Sequence, residues 1–164
     1  MRGTVESCAV QGRNDKTTGS EGSATRNDID DELILAARLL LATVFLIFGW
    51  RKLRDYSGTV SQIVQFGVPL PRLAALVAIF MELPVAFAVA VGAFARPSAL
   101  LLLLYTLATA LVGHHYWTVT GAARVDSMDG FYKNLSIMGG LLLLYVTGAG
   151  RYSIDVFCST AAPS

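Results

Sequence analysis

The sequence predicts an all-α integral membrane protein: an up-down-up-down bundle of four transmembrane helices behind a disordered N-terminal tail. Three observations carry this expectation. Of 164 residues, 54% are hydrophobic and only 15% charged, with a mean hydropathy of +0.54, whereas an average soluble domain is about 25% charged. The charge is also segregated, with 11 of the 25 charged side chains in residues 1–32. The remainder contains four continuous apolar runs of about 18 to 24 residues, the length a ~30 Å hydrocarbon layer requires at about 1.5 Å per residue. The runs show no polar face for water, unlike the helices of a soluble bundle. They do not alternate as strands of a membrane barrel do. A net charge of +1 gives no basic surface for nucleic acid. Cys8 and Cys158 lie near opposite ends and form neither a metal spacing nor a disulfide framework.

Residues 1–31 are rich in Gly, Ser, Thr, Asn and Asp, lack apolar periodicity and read as a disordered polar tail. No apolar stretch follows Met1 and Arg2, so the tail does not read as a signal peptide. The membrane domain follows over 32–155, with spans at about 33–50, 72–95, 98–117 and 131–150, and 156–164 form a short C-terminal tail. Water is absent from the bilayer core, so each run must satisfy its own backbone as a helix. Between the first two spans, Asp55–Phe66 reads as a short interfacial helix with Val60, Ile63 and Val64 on one face and Asp55 or Ser57 as its cap. Gly67 to Pro71 ends that helix and starts the next. Arg96-Pro97 reads as a tight turn, and Thr118 to Gly130 as a polar connection. Short links make successive helices antiparallel neighbours. The Lys and Arg flanking the spans are nearly balanced between the two sides, and a charged 32-residue tail is awkward to translocate, so both termini are assigned to the cytoplasm.

Ionisable groups inside a bilayer cost at least ~2.5 kcal/mol each at the centre, so each one needs a role. Glu82 lies near mid-depth of the second span, beyond the reach of snorkelling. It reads as a protonated or paired structural carboxyl, with Arg38 as one partner, or as a proton- or ligand-binding group. Pro84 frees a carbonyl in the preceding turn and bends that helix. Arg38 lies about five residues into the first span and can snorkel to the headgroups or turn inward. Lys52 follows 14 positions later, about 40° short of four full turns, so it shares a face with Arg38 at the opposite boundary. His114 and His115 project about 100° apart and cannot share one metal on a straight helix, which leaves a single inward histidine. Tyr116 and Trp117 fit interfacial anchors. Asn134, after Lys133, opens the fourth span, and Gly139-Gly140 allows a close helix approach. Gly148 and Gly150 stop the last helix, with Arg151 and Asp155 placed to fix the exit loop. By depth, Lys52, His114, His115, Lys133 and Asn134 gather at the loop side, Arg38, Arg151 and Asp155 at the tail side, and Glu82 between them.

The chain resembles the DoxX family of membrane proteins from about Asp31 to Asp155. The matching pieces are A-R-L-L-L-A-T-V-F-L-I-F-G-W-R-K-L at Ala37–Leu53, G-V-P at Gly67–Pro69 and M-E-L at Met81–Leu83. H-H-Y-W at His114–Trp117, F-Y-K-N-L-S-I-M-G-G-L-L-L-L at Phe131–Leu144 and T-G-A-G-R-Y-S-I-D at Thr147–Asp155 complete them. The family often closes on Gly-Pro-Gly, where this chain has Gly148-Ala149-Gly150. The resemblance implies a four-helix bacterial inner-membrane protein. Some relatives are small subunits of a thiosulfate:quinone oxidoreductase, others are tied to oxidative or thiol stress, and most have no assigned activity.

Two classes of function follow. In the first, the chain is a redox subunit that meets quinone or passes protons, with Arg38, Glu82, His114 and Asn134 as the candidate site and Lys52, His115, Trp117, Arg151 and Asp155 in support. No metal site is expected, and quinone is the one cofactor in view, because the sequence has no Gly-rich dinucleotide loop and no cysteine cluster. Electrons would then come from a soluble or membrane oxidoreductase partner. In the second, the chain is a non-enzymatic membrane anchor or organiser, and its polar residues are structural. A small-molecule carrier fits less well without an inverted repeat. The bilayer is a partner in every reading, and a homo-oligomer is compatible with all of them. Four runs long enough to span predict that the protein stays in the membrane pellet through an alkaline carbonate wash; recovery in the supernatant would overturn the membrane assignment.

Overall fold

The computed structural model describes the backbone of residues 3–161 except 115 and 119, and the side chains of residues 29–157 with the same two exceptions. Every element is helical: α1 (Gly3–Arg54), α2 (Tyr56–Gln65), α3 (Pro71–Phe80), a π-helical segment (Met81–Val85), α4 (Ala86–Val91), α5 (Ala95–Gly113), α6 (Ala122–Thr147) and α7 (Ile154–Ala161). The chain forms two compact units, residues 1–33 and 34–164. Among the described residues, three stretches are long and apolar enough to cross a membrane: Ile29–Arg54, Pro71–Val91 and Ala95–Gly113. The backbone of α1 is helical from Gly3, where composition predicts an irregular tail. No proline occurs before Pro69, so no residue there lacks the N–H that a helix requires. The side chains of residues 1–28 lie outside the described residues.

The remaining boundaries differ from the sequence reading for local reasons. The second span ends at Gly92 rather than at 95, because Gly92 takes a left-handed conformation (φ 73°) and the Ala93 N–H bonds back to the Ala88 carbonyl, a helix stop that glycine makes inexpensive. Arg96 and Pro97 are not a turn but the first turn of α5, where the missing proline N–H has no intrahelical partner to lose. That helix ends at Gly113, so His114, Tyr116 and Trp117 belong to the following connection rather than to the third span. Residues 122–130, read as polar linker, are the first turns of α6, which stops at Gly148 (φ 80°). The expected interfacial helix is α2, and Asp55 caps it by accepting the Gly58 N–H at 3.0 Å. Pro71 opens α3 at its first position.

The core joins four helices. Phe45 from α1, Val85, Ala86 and Val89 around the end of the π segment, Ala99 and Leu102 from α5, and Leu141 and Leu144 from α6 are buried together. Large apolar side chains cover the outside instead, among them Leu40, Phe80, Phe87, Leu104, Leu143 and Val146. An apolar exterior of this extent belongs against acyl chains rather than water.

Pro84 lies inside the π segment. Its ring cannot coexist with a regular i→i−4 ladder, and a π turn absorbs the mismatch. Opposite it, Gly49 lets α1 approach: a Cβ there would stand 2.8 Å from Glu82 Cβ and 3.0 Å from the Glu82 carbonyl carbon. Of the glycine pair expected at a helix contact, only Gly140 is packed, against Leu41, while Gly139 faces open space. Gly49→Ala is therefore expected to lower stability by roughly 1–3 kcal/mol through overpacking, and Gly139→Ala, inside α6 with open space for a Cβ, to raise it by roughly 0.5–1 kcal/mol. Thermal unfolding of both variants in detergent checks the contrast.

Candidate functional site

The polar residues form two separate constructions at opposite ends of the bundle. At the tail side Arg38 is 1% exposed. Its Nε donates to the Ala90 carbonyl at 3.2 Å, Nη1 to Ala149 at 2.5 Å and Nη2 to Tyr152 at 2.7 Å. It does not snorkel and does not meet Glu82. It fills the carbonyls at the end of α4 and in the chain leaving α6, which a planar, five-donor guanidinium does better than any other side chain. Gly92 completes the fit, since a Cβ there would stand 2.6 Å from Nη1. Asp155 acts beside it: its carboxylate accepts the Phe94 N–H at 2.8 Å and the Ala95 N–H at 3.2 Å, capping α5 where Phe94 is held at φ 48°. Arg151 is exposed. Arg38 thus stands apart from the other three residues of the candidate site.

At the loop side Lys52, Glu82, Tyr105, His114, Lys133 and Asn134 come together. Glu82, 5% exposed, projects from the π segment, and one carboxylate oxygen, Oε1, pairs with Lys52 Nζ from the end of α1. The Tyr105 hydroxyl of α5 donates to the same Oε1 at 2.5 Å. Lys52 Nζ also reaches the Tyr105 oxygen at 3.5 Å. The other oxygen, Oε2, is buried and has no hydrogen-bond partner among the described residues. Beside this triad lies a cavity of about 130 Å³, walled by Lys52, Glu82, Tyr105, His114, Lys133 and Asn134 and by the apolar Val44, Phe45, Phe48 and Ile137. His114 reaches it from the end of α5, with its ring against Gly130 of α6, where no Cβ would fit. Lys133 lies over the Phe48 ring at 5.1 Å, a cation–π contact that steadies its ammonium.

Glu82, His114 and Asn134 therefore share one cavity with Lys52. His115 lies outside the described residues. Trp117 is exposed and packs edge-on to Tyr116 and Phe131, beyond the cavity wall. Tyr105 was missed from sequence, although a lone phenol in an unbroken leucine run is the signal that marks it. Chemically the cavity is a donor-rich pocket, with two ammonium groups, an imidazole, an amide and a phenol around one carboxylate. It suits a small ligand with acceptor oxygens or a proton in transit. Among the described residues, no group of three His, Cys, Asp or Glu side chains is placed to hold a metal ion.

A DoxX family model matches residues 33–115, half the chain. The chain belongs to the DoxX family. It is 46% identical to the inner membrane protein YphA of Escherichia coli over 75% of its own length and 88% of that protein. It is 38% identical to the inner membrane protein YqjF of the same organism, over 77% of this chain and 92% of that one. A shorter stretch of 42 residues is 48% identical to the yeast ER-derived vesicles protein ERV29, covering 26% of this chain and 14% of that protein. No solved structure matches the chain. This DoxX protein is a multi-pass inner-membrane protein, and the matched segment contains Arg38, Lys52, Glu82, Tyr105 and His114.

Removing the tail-side clamp strands three carbonyls at once. Arg38→Met is expected to cost roughly 3 kcal/mol or more, and Arg38→Lys to restore only part of it, because one ammonium cannot reproduce the guanidinium fork. Denaturant titration in mixed micelles measures both.

Proposed function

We propose that this DoxX protein is a membrane subunit of a quinone-linked oxidoreductase, and that the Glu82 cavity receives a quinone headgroup and handles its protons. The observation that carries the reading is the half-satisfied carboxylate: Glu82 is buried, its Oε1 is doubly engaged, and Oε2 is left unpartnered beside a cavity rich in donors. A group fixed for stability alone has no reason to leave one oxygen unused, since a buried unpaired acceptor costs about 1–3 kcal/mol. Quinone carbonyls are acceptors, so Lys52, Lys133, His114 and Asn134 suit them, and Phe45, Phe48 and Ile137 suit the ring. A bound quinone supplies the capacity to take two electrons and two protons. The chain's own part is to orient the carbonyls and to hold a proton on Glu82 or Tyr105. The electrons come from a partner oxidoreductase.

The reading includes α6 as a fourth span. It packs along α5 and carries Leu141 and Leu144 into the common core while Leu142, Leu143 and Val146 face outward. Lys133 and Asn134 lower the hydropathy of its first half because they face the cavity.

Quinone affinity is expected to depend on the donors that line the Glu82 cavity, Lys52, Lys133, His114 and Asn134. Fluorescence titration of the purified protein with a short-tailed ubiquinone analogue measures this. Asn134→Leu and His114→Gln are each expected to weaken binding by about tenfold, roughly 1.4 kcal/mol. Absence of saturable binding, with all proteins at normal membrane levels, would leave the anchor role in its place.

A further inference from the structure

Lys52 borders two cavities. Its inner side lines the 130 Å³ chamber that holds Glu82. Its outer side lines a separate polar cavity of about 340 Å³, formed with Arg51, Asp55, Gly58, Thr59 and Gln62 where α1 ends and α2 begins. The two cavities share Lys52 alone among their lining residues. The exposure gradient runs the same way, because the Lys52 side chain is 27% exposed and that of Glu82 6%. The outer cavity lies at the charged edge of the bundle, flanked by exposed Arg51, Arg54 and Asp55.

We propose that Lys52 is the proton gate between the loop-side aqueous boundary and Glu82. The inference rests on the reading of the inner cavity as a proton-handling site and names the route by which that site is charged. In the transfer, an N–H bond of the Lys52 ammonium breaks, its electron pair stays on Nζ, and the proton forms an O–H bond on Glu82 Oε1. The neutral amine then takes a proton from bulk water or a buffer acid at the outer cavity, restoring the ammonium. One proton moves from the aqueous side to the carboxyl, and nothing is oxidised or reduced. The titratable or charged groups facing Glu82 are Lys52 from α1, Tyr105 from α5, His114 after it and Lys133 from α6. Lys52 is the one that also lines the outer cavity, where Arg51 and Asp55 are the charged neighbours.

A purely structural ion pair and a gate separate on one substitution. Lys52→Arg keeps the charge and the pairing capacity, but a guanidinium does not release its proton. The full-length protein in lipid nanodiscs is given an alkaline-to-acid pH jump, and protonation of Glu82 is followed by its carboxylic-acid infrared band, identified by its loss in Glu82→Gln. Lys52→Arg is expected to slow the appearance of the band by roughly 100-fold, the scale of a lost proton-transfer group. Thr59→Val combined with Gln62→Leu makes the outer cavity less polar without touching the ion pair, and is expected to slow it by about tenfold. Wild-type rates in both variants overturn the gate. If Lys52→Arg fails to accumulate, the outer-cavity variant decides alone: slowed protonation supports the gate and a wild-type rate refutes it. Slowed protonation in a protein that binds no quinone would retain the gate and remove the quinone reading, so the two fail separately.

Discussion

Glu82 sits within the second span with 5% exposure, and a carboxylate in that position must be neutralised or paired. Much of the local structure follows from that requirement. Lys52 sits at the end of α1, within reach of it, and Tyr105 enters from α5 to share the same oxygen. For the lysine to arrive, α1 must lie against the π segment, and Gly49 makes that approach possible. The π turn itself relieves Pro84 and sets the direction in which Glu82 leaves the backbone. One buried acid thus ties together the first span, the broken second span and α5.

The contrast with Arg38 separates stability from chemistry. Both groups are buried and ionisable, and both lie within spans. Arg38 donates from all three of its nitrogens to main-chain carbonyls, which closes the tail-side end of the bundle. Glu82 is engaged at one oxygen, while the other is buried and unpartnered among the described residues, and the residue borders a cavity of about 130 Å³. A fully satisfied buried charge specifies a fold, whereas a half-satisfied one beside a cavity marks a candidate site. The donors around Glu82 outnumber its own acceptor sites, and the proposed ligand reading rests on that imbalance.

The cavity is also divided between helices in a revealing way. Lys52, Glu82, Tyr105 and His114 fall within residues 33–115, which the family model matches, and Lys133 and Asn134 come from α6.

Composition and run length alone determined that the chain crosses a membrane, because the hydrocarbon layer imposes a length and an apolarity that any spanning segment must show. Depth along each run was also readable, since rise per residue is constant, and it placed Lys52, His114, Lys133 and Asn134 at one end with Glu82 below them. The shared face of Arg38 and Lys52 followed from helical periodicity, and Pro84 announced the irregular turn at 81–85. Partner choice was not readable. Sequence order does not say which helix an inward side chain meets, so Arg38 was offered to Glu82 when its real partners are carbonyls some 50 to 110 residues away. Tyr105 escaped notice for the same reason: a tyrosine in a leucine run acquires its role only when another helix brings a carboxylate to its hydroxyl. The glycines divide likewise, with Gly140 packed, Gly139 open and Gly49 carrying the closest contact. Periodicity fixes how a residue sits on its own helix, while packing between helices decides what it touches.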